Sequence, residues 1–315
     1  MTKQLALTDS ETLANKNEIF MKVIVTGSLG NIGKPLAKEL VEKGHTVTVI
    51  SSKPEKQKDI EALGATAAIG SLSDVDFLVS TFTGADAVFA MVPPNFTVPD
   101  HREYYRRIGS NYAQAIQQSG VKRVVHLSSW GAHLDKGTGF IVGSHDVEGI
   151  LNELRDVAIT HLRAGYIYYN LYNYVDMIKG LGFIGANYGG DGKIAMVAPI
   201  DIAAVATEEL ATPATGKQVR YVASDEHTAN ETAHILGTAI GKPDLKWVIF
   251  TDEQMQDGME NKGVSAHIVA NFVELGASIH SGALRQDYDL HKPIAMGKVK
   301  LEDFASEFAA AFKKG

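Results

Sequence analysis

The chain has 315 residues, 30 Lys and Arg against 37 Asp and Glu, a net charge of −7 and no cysteine. These values exclude disulfides, thiolate nucleophiles and cysteine-held zinc. With no Lys/Arg block in the sequence, they also make nucleic acid and anionic membrane poor partners. A hydrophobic content of 45%, with no apolar run of the ~18 residues a membrane span needs, points to a soluble globular protein of the cytoplasm.

Residues 1–20 have neither a basic start nor an apolar core. They read as a polar extension rather than a signal peptide, with Met21 as an alternative start. From Met21 onward, short β-branched runs alternate with helical stretches. Residues 22–26 (KVIVT) predict a strand running straight into a glycine-rich turn. Residues 32–43 predict a helix, with Ile32, Leu36 and Leu40 on one face and Gly44 as its stop. Further strands are expected at 46–50, 65–69, 87–92 and 123–127, and helices at 54–63, 74–81 and 102–119. Strand–helix–strand repetition implies right-handed crossovers and a parallel sheet covered on both faces, and the near-continuous apolar strands agree.

After a Gly-rich loop at 131–143, a helix at 147–154 and a strand at 158–162 complete this pattern. The fold class is therefore α/β, a Rossmann-type doubly wound sheet over 21–163. A smaller α/β region, 164–315, packs on it and supplies substrate contacts. In that second part, residues 180–192 hold six glycines and read as a long loop and candidate lid. A strand follows at 219–223. Thr228 with Glu231, and Thr251 with Gln254, have capping-box spacing and start two helices. Leu301, Phe304, Phe308 and Phe312 form one helical stripe that packs back on the body.

The segment Gly27-Ser28-Leu29-Gly30-Asn31-Ile32-Gly33 lies between the first strand and first helix. Glycine there permits a tight turn, close approach of backbone N–H groups to a diphosphate, and tight helix packing, while the helix N-terminus adds partial positive charge. Following a strand and opening a helix, the string predicts dinucleotide binding. At the end of the second strand, where a carboxylate would hold the ribose hydroxyl of NAD, stand Ser51, Ser52 and Lys53. Two hydroxyls and an ammonium suit a 2′-phosphate, so NADP(H) is expected in preference to NAD(H).

With VTGSLGNIG (25–33), SSKPEK (51–56), GVKRVVHLSS (120–129) and THLRAGYIYYN (160–170), the chain resembles the NmrA-like family of atypical short-chain dehydrogenases/reductases, in particular its NAD(P)H:quinone oxidoreductase-type members. The resemblance implies cofactor contacts at Gly27, Gly30, Asn31, Ile32 and Gly33, with Ser52 and Lys53 near the adenine ribose. It also implies that Val92, Pro93 and Pro94 line the groove and that Ser128 and His145 approach the nicotinamide. Ser52 stands where the family often has Arg, and Ser71 where it often has Asp.

Typical short-chain dehydrogenases place Tyr-xxx-Lys on one helix face, where the ammonium lowers the phenol's pKa. This chain has Ile141 and His145 at that spacing, and its one literal match, Tyr288 to Lys292, lies too far along the chain to serve. The remaining catalytic candidates are Ser128, at the C-terminal end of the fifth strand, His145 and Tyr166. Hydride transfer to a quinone tolerates the missing tyrosine, because solvent can protonate the stabilised product anion. The expected activity is thus NADPH-dependent reduction of a quinone or similar aromatic or carbonyl acceptor. A non-catalytic NADP(H) redox sensor is the alternative, and a homodimer is left open.

Five of the chain's 11 tyrosines, Tyr166, Tyr168, Tyr169, Tyr172 and Tyr174, crowd one segment. Tyr168, Tyr172 and Val175 fall on one helical stripe and read as core or interface, with Tyr166 the exception that faces the site. His126, His133 and His145, with Asp135, lack metal-ligand spacing, so no metal is expected.

Overall fold

The computed structural model describes residues 20–314. Its first part runs β1 (Lys22–Val25), α1 (Gly33–Glu42), β2 (Thr46–Ser51), α2 (Gln57–Glu61), β3 (Thr66–Ile69), α3 (Val75–Phe82), β4 (Ala87–Ala90), α4 (His101–Ser119), β5 (Arg123–Ser129), α5 (Ile141–Asn152) and β6 (Ala158–Ala164). Then come β7 (Tyr166–Ile167), a 3₁₀ segment (Tyr168–Tyr174), α6 (Val175–Leu181), β8 (Ile184–Ala186), β9 (Ile194–Val197), α7 (Pro199–Ala211) and β10 (Lys217–Val222). The chain closes with β11 (Asp225–His227), α8 (Ala229–Ala239), β12 (Trp247–Ile249), α9 (Asp252–Glu260), α10 (Ala266–His280), α11 (Arg285–Leu290) and α12 (Leu301–Lys314).

Seven strands form one parallel sheet in the order β10-β6-β5-β4-β1-β2-β3, the Rossmann-type arrangement that the strand–helix alternation predicts. β1 shows why its strands are apolar throughout. Val23 and Val25 pack on one face with Leu36 and Leu40 of α1 and Ile202 and Ala206 of α7. Ile24 points to the opposite face, with Leu78, Ile108, Tyr112 and Leu151 of α3, α4 and α5. Leu36 and Leu40 are fully buried, so truncating either to alanine costs about 2–5 kcal/mol.

The seventh strand, β10, and the helix packed on α1, α7, both come from beyond residue 164. The second part of the chain therefore completes the sheet as well as packing on it. Its own core gathers Tyr168, Trp247, Phe304 and Phe308, among others. Tyr168 stacks on Phe304 at 5.3 Å and Tyr172 on Phe308 at 5.8 Å, so the tyrosine stripe meets the α12 stripe as structural core. Both capping boxes are formed, at Thr228–Glu231 and Thr251–Gln254.

The six-glycine stretch corrects one expectation, for it is not one continuous loop. Its middle is β8, buried and paired in parallel with β12. A Cβ at Gly185 would collide with the Phe250 ring, so this glycine marks a close approach of packed groups rather than a mobile loop. A second difference is that α5 begins at Ile141 instead of 147, which draws His145 into the helix body. Among the described residues, no helix is long and apolar enough to cross a membrane. The polar extension 1–20 falls almost wholly outside the described residues.

Candidate functional site

Strand order reverses between β1 and β4, and the crevice at the C-terminal ends of these strands is where open α/β sheets bind ligands. The glycine loop occupies that point. Gly27 has φ of +89°, and a Cβ there would strike the Met91 side chain. A Cβ on Gly33 would collide with the Ser28 carbonyl, so the third glycine lets α1 start directly against the loop. Gly30 differs, because its Cβ would approach no protein atom closer than 3.8 Å. The loop thus leaves an open face beside Gly30. α1 begins with no side-chain cap; the Lys34 N–H donates to the Gly30 carbonyl and Pro35 has no N–H, so the donors an anion would meet are those of the loop up to Gly33. This cradle fits the diphosphate of a dinucleotide.

Ser51 is buried. It accepts a hydrogen bond from the Ser28 hydroxyl at 2.9 Å and one from the Lys53 N–H at 3.1 Å, which joins the glycine loop to the end of β2. Ser52 and Lys53 stand exposed just beyond.

From Gly27, Gly30, Asn31, Ile32 and Gly33 a groove of about 550 Å³ runs past Val92, Pro93 and Pro94 to Ser128. Its far end is walled by Trp130, Phe140 and Ile141 of the β5–α5 segment and by Leu275, Ile279 and Leu284 of the second part. The Tyr105 hydroxyl donates to the Val92 carbonyl and that of Tyr104 to the Pro93 carbonyl, which pins the turn after β4. Among the described residues, no Lys, Arg, Asp, Glu or His lines this groove. Its ionisable groups are Tyr105, Tyr166 and Tyr169, and burial pushes each of their pKa values up.

Ser128 lines the groove, but its proton is committed. The hydroxyl donates to Glu148 Oε1 at 2.5 Å. Glu148 is 5% exposed and takes two hydrogen bonds from Arg163, at 3.0 and 2.7 Å. Arg163 in turn pairs with Asp287 at 2.9 Å, and Asp287 accepts from Tyr221 at 2.6 Å. With its hydrogen held by a paired carboxylate, Ser128 Oγ presents lone pairs to the groove and acts there as an acceptor.

His145 is not brought into the groove. Ile141 and Ser144 of the same helix line it, whereas the His145 Nδ1–H donates to the Ala132 carbonyl at 2.9 Å. Tyr166 reaches the lining through its ring, and its hydroxyl lies with those of Tyr174 and Tyr188 in a buried cluster. Tyr288 is 1% exposed and lies outside the lining, so the literal Tyr-xxx-Lys plays no part in it. The three histidines do not all come together: His126 faces the His161 ring, while His145 donates to Ala132 and lies near His133. Sequence reasoning missed Glu148, Arg163, Asp287 and the apolar wall from α10. Their contacts join segments 124 or more residues apart in places, a separation that no local spacing records.

Fold and site together define a dinucleotide-binding α/β protein. Residues 27–170 match the model of the NAD(P)H-binding family. The NAD(P)H azoreductase of Xenophilus azovorans is 26% identical over 294 residues, spanning 92% of this chain and 99% of that one. Among solved structures, an NADPH-dependent quinone oxidoreductase of Escherichia coli complexed with NADPH superposes with a TM-score of 0.77. It is 21% identical, over 90% of this chain and 99% of that one. The triphenylmethane reductase of Citrobacter sp. complexed with NADP(H) gives 0.74 at 20% identity, over 91% and 99%. The NmrA-like, quinone-oxidoreductase-type resemblance read from the sequence agrees with these neighbours.

Proposed function

We propose that the protein is an NADPH-dependent oxidoreductase that passes hydride to a quinone or a similar conjugated acceptor. One observation carries this reading. The groove running from the glycine loop is apolar and lined by no side chain that titrates near neutrality, which suits an acceptor whose reduction needs no protein acid. Relatives named as azo-dye, quinone and triphenylmethane reductases support the class.

Bound NADPH supplies the hydride. The backbone of Gly27, Gly30, Asn31, Ile32 and Gly33 would hold its diphosphate, Ser28 shaping the loop through its N–H to the Ile50 carbonyl, and Ser52 and Lys53 would hold the 2′-phosphate, in preference to NAD(H). Ser51 acts one step behind, fixing the Lys53 backbone to the loop. Val92 and Pro93 support the nicotinamide, and Ser128 Oγ accepts from its carboxamide. His145 holds the β5–α5 segment in place through Ala132, and the Tyr166 ring is part of the wall. The acceptor takes two electrons and one hydrogen as hydride and then one proton from water, as NADPH becomes NADP⁺.

NADPH oxidation followed by absorbance over a panel of quinones tests this reading. Turnover that outpaces the same assay with NADH supports it. Cofactor binding without turnover across the panel would favour the redox-sensor reading. Lys53→Glu is expected to weaken NADPH at least about tenfold relative to NADH, because a carboxylate would then face the 2′-phosphate.

A further inference from the structure

We propose that the acceptor end of the groove selects planar acceptors without negative charge, and that it does so by exclusion. The proposal rests on the reductase reading above and narrows its substrate class. Three observations carry it.

The acceptor end, from Trp130 through Phe140 and Ile141 to Leu275, Ile279 and Leu284, offers no cation to an anionic substituent. A sulfonate or carboxylate entering it would give up hydration for no counter-charge. Two arginines flank Tyr105 in α4, but neither lines the groove, and both turn to Asp146, Arg102 at 2.6 Å and Arg106 at 2.8 Å.

Behind Ser128, the group that touches the floor of the groove is a buried carboxylate: Glu148 accepts from the Ser128 hydroxyl, and its partner Arg163 is shared with Asp287, which also meets His291 at 3.1 Å. An anion entering at Ser128 would therefore meet the carboxylate before the guanidinium that pairs with it.

Phe140, which lines the groove, belongs to an aromatic cluster that also holds the buried His101 ring at 4.8 Å. Phe96, 51% exposed, meets the Phe140 ring edge-on at 5.3 Å and stacks on Phe272 of α10 at 6.1 Å, and Phe140 meets Phe272 at 4.9 Å. These rings come from three separate segments and hold Phe140 in place, so that the groove keeps a flat face for a planar acceptor to lie against.

Menadione and a naphthoquinone sulfonate present the same ring system without and with a fixed negative charge. Each is titrated into the NADP⁺-saturated protein while tryptophan fluorescence is followed, since Trp130 stands in the groove wall. Menadione is expected to quench at a concentration at least tenfold below that of the sulfonate, and kcat/KM with NADPH is expected to follow the same order. Leu275→Arg, which places a guanidinium on a half-buried position of α10, is expected to narrow that gap at least tenfold. Equal or tighter binding of the sulfonate by the unmodified protein would overturn the selectivity while leaving the reductase reading intact. Failure of both quinones to bind or turn over would overturn both. Should the Leu275 variant lose its cooperative melt, the two titrations of the unmodified protein decide by themselves.

Discussion

Gly30 and Gly33 sit three residues apart in one loop and serve different ends. Gly33 is required by the protein itself, since a methyl group there collides with the Ser28 carbonyl, whereas Gly30 faces open space. Gly33→Ala is therefore expected to lower Tm and weaken NADPH binding together. Gly30→Ala is expected to leave Tm within about 1 °C and weaken NADPH at least about tenfold, by filling the space beside the diphosphate. Thermal melts with and without NADPH check both.

The paired imidazoles of β5 and β6 make a second prediction. His126 and His161 meet at 2.9 Å between their Nδ1 atoms, and the His161 Nε2–H donates to Asn152 Oδ1. His161 Nδ1 is therefore the acceptor in the pair and His126 Nδ1 the donor. Burial lowers the His161 pKa from 6.5 to about 4 and holds that of His126 well below its usual value. A lowered folded-state pKa means that the unfolded chain binds more protons. Stability is then full above about pH 6.5 and falls as pH drops toward 4, by about 3 kcal/mol from His161. Denaturant unfolding at pH 7.5 and 5 measures the loss, and a midpoint unchanged between them would contradict the pairing.

The glycine loop and its neighbours were legible in the sequence, because strand, turn and helix there are contiguous and each residue type has a local reason. The acceptor-end residues were not. Glu148 looks like any polar helix residue until Arg163 and Ser128 converge on it from two strands.

At the scale of elements, local pattern succeeds where an element's reason is internal. The two capping boxes and the aromatic stripe of α12 follow from their own spacing. β8 fails that test, because Gly185 within it answers to Phe250, and Gly189 just after it to Ile249, across the packing. Composition alone reads them as a loop. Two outcomes follow from the strand. Limited proteolysis is expected to spare 184–188, all buried. Gly185→Ala is expected to destabilise by about 1–3 kcal/mol, since the added methyl must displace the Phe250 ring. Cleavage at 184–188 under native conditions would mean that β8 opens readily. His145 illustrates a smaller error of the same kind. Starting α5 two turns early turns its side chain to Ala132 and leaves Ser144 on the groove.

For the molecule as a whole, the chemistry of the groove sets the pH response. Its ionisable side chains are tyrosines held above their usual pKa by burial. The kcat for a quinone is accordingly expected to stay within about twofold between pH 6 and 8.5. A bell-shaped profile with a limb near pH 6.5 would reveal a titrating donor and bring a histidine back into the reaction.

The edge strand β10 also fixes when the protein becomes whole during its own synthesis. The segment matching the family model ends at residue 170, yet β6 lacks its outer neighbour until residue 222 has been made, and α1 lacks the α7 cover until 211. A fragment cut at 170 would carry the entire glycine cradle beside an unsatisfied row of β6 backbone groups and a bare apolar flank, both invitations to aggregation. On the ribosome, the cradle would be translated early and become competent late, once the C-terminal half had emerged to close the sheet.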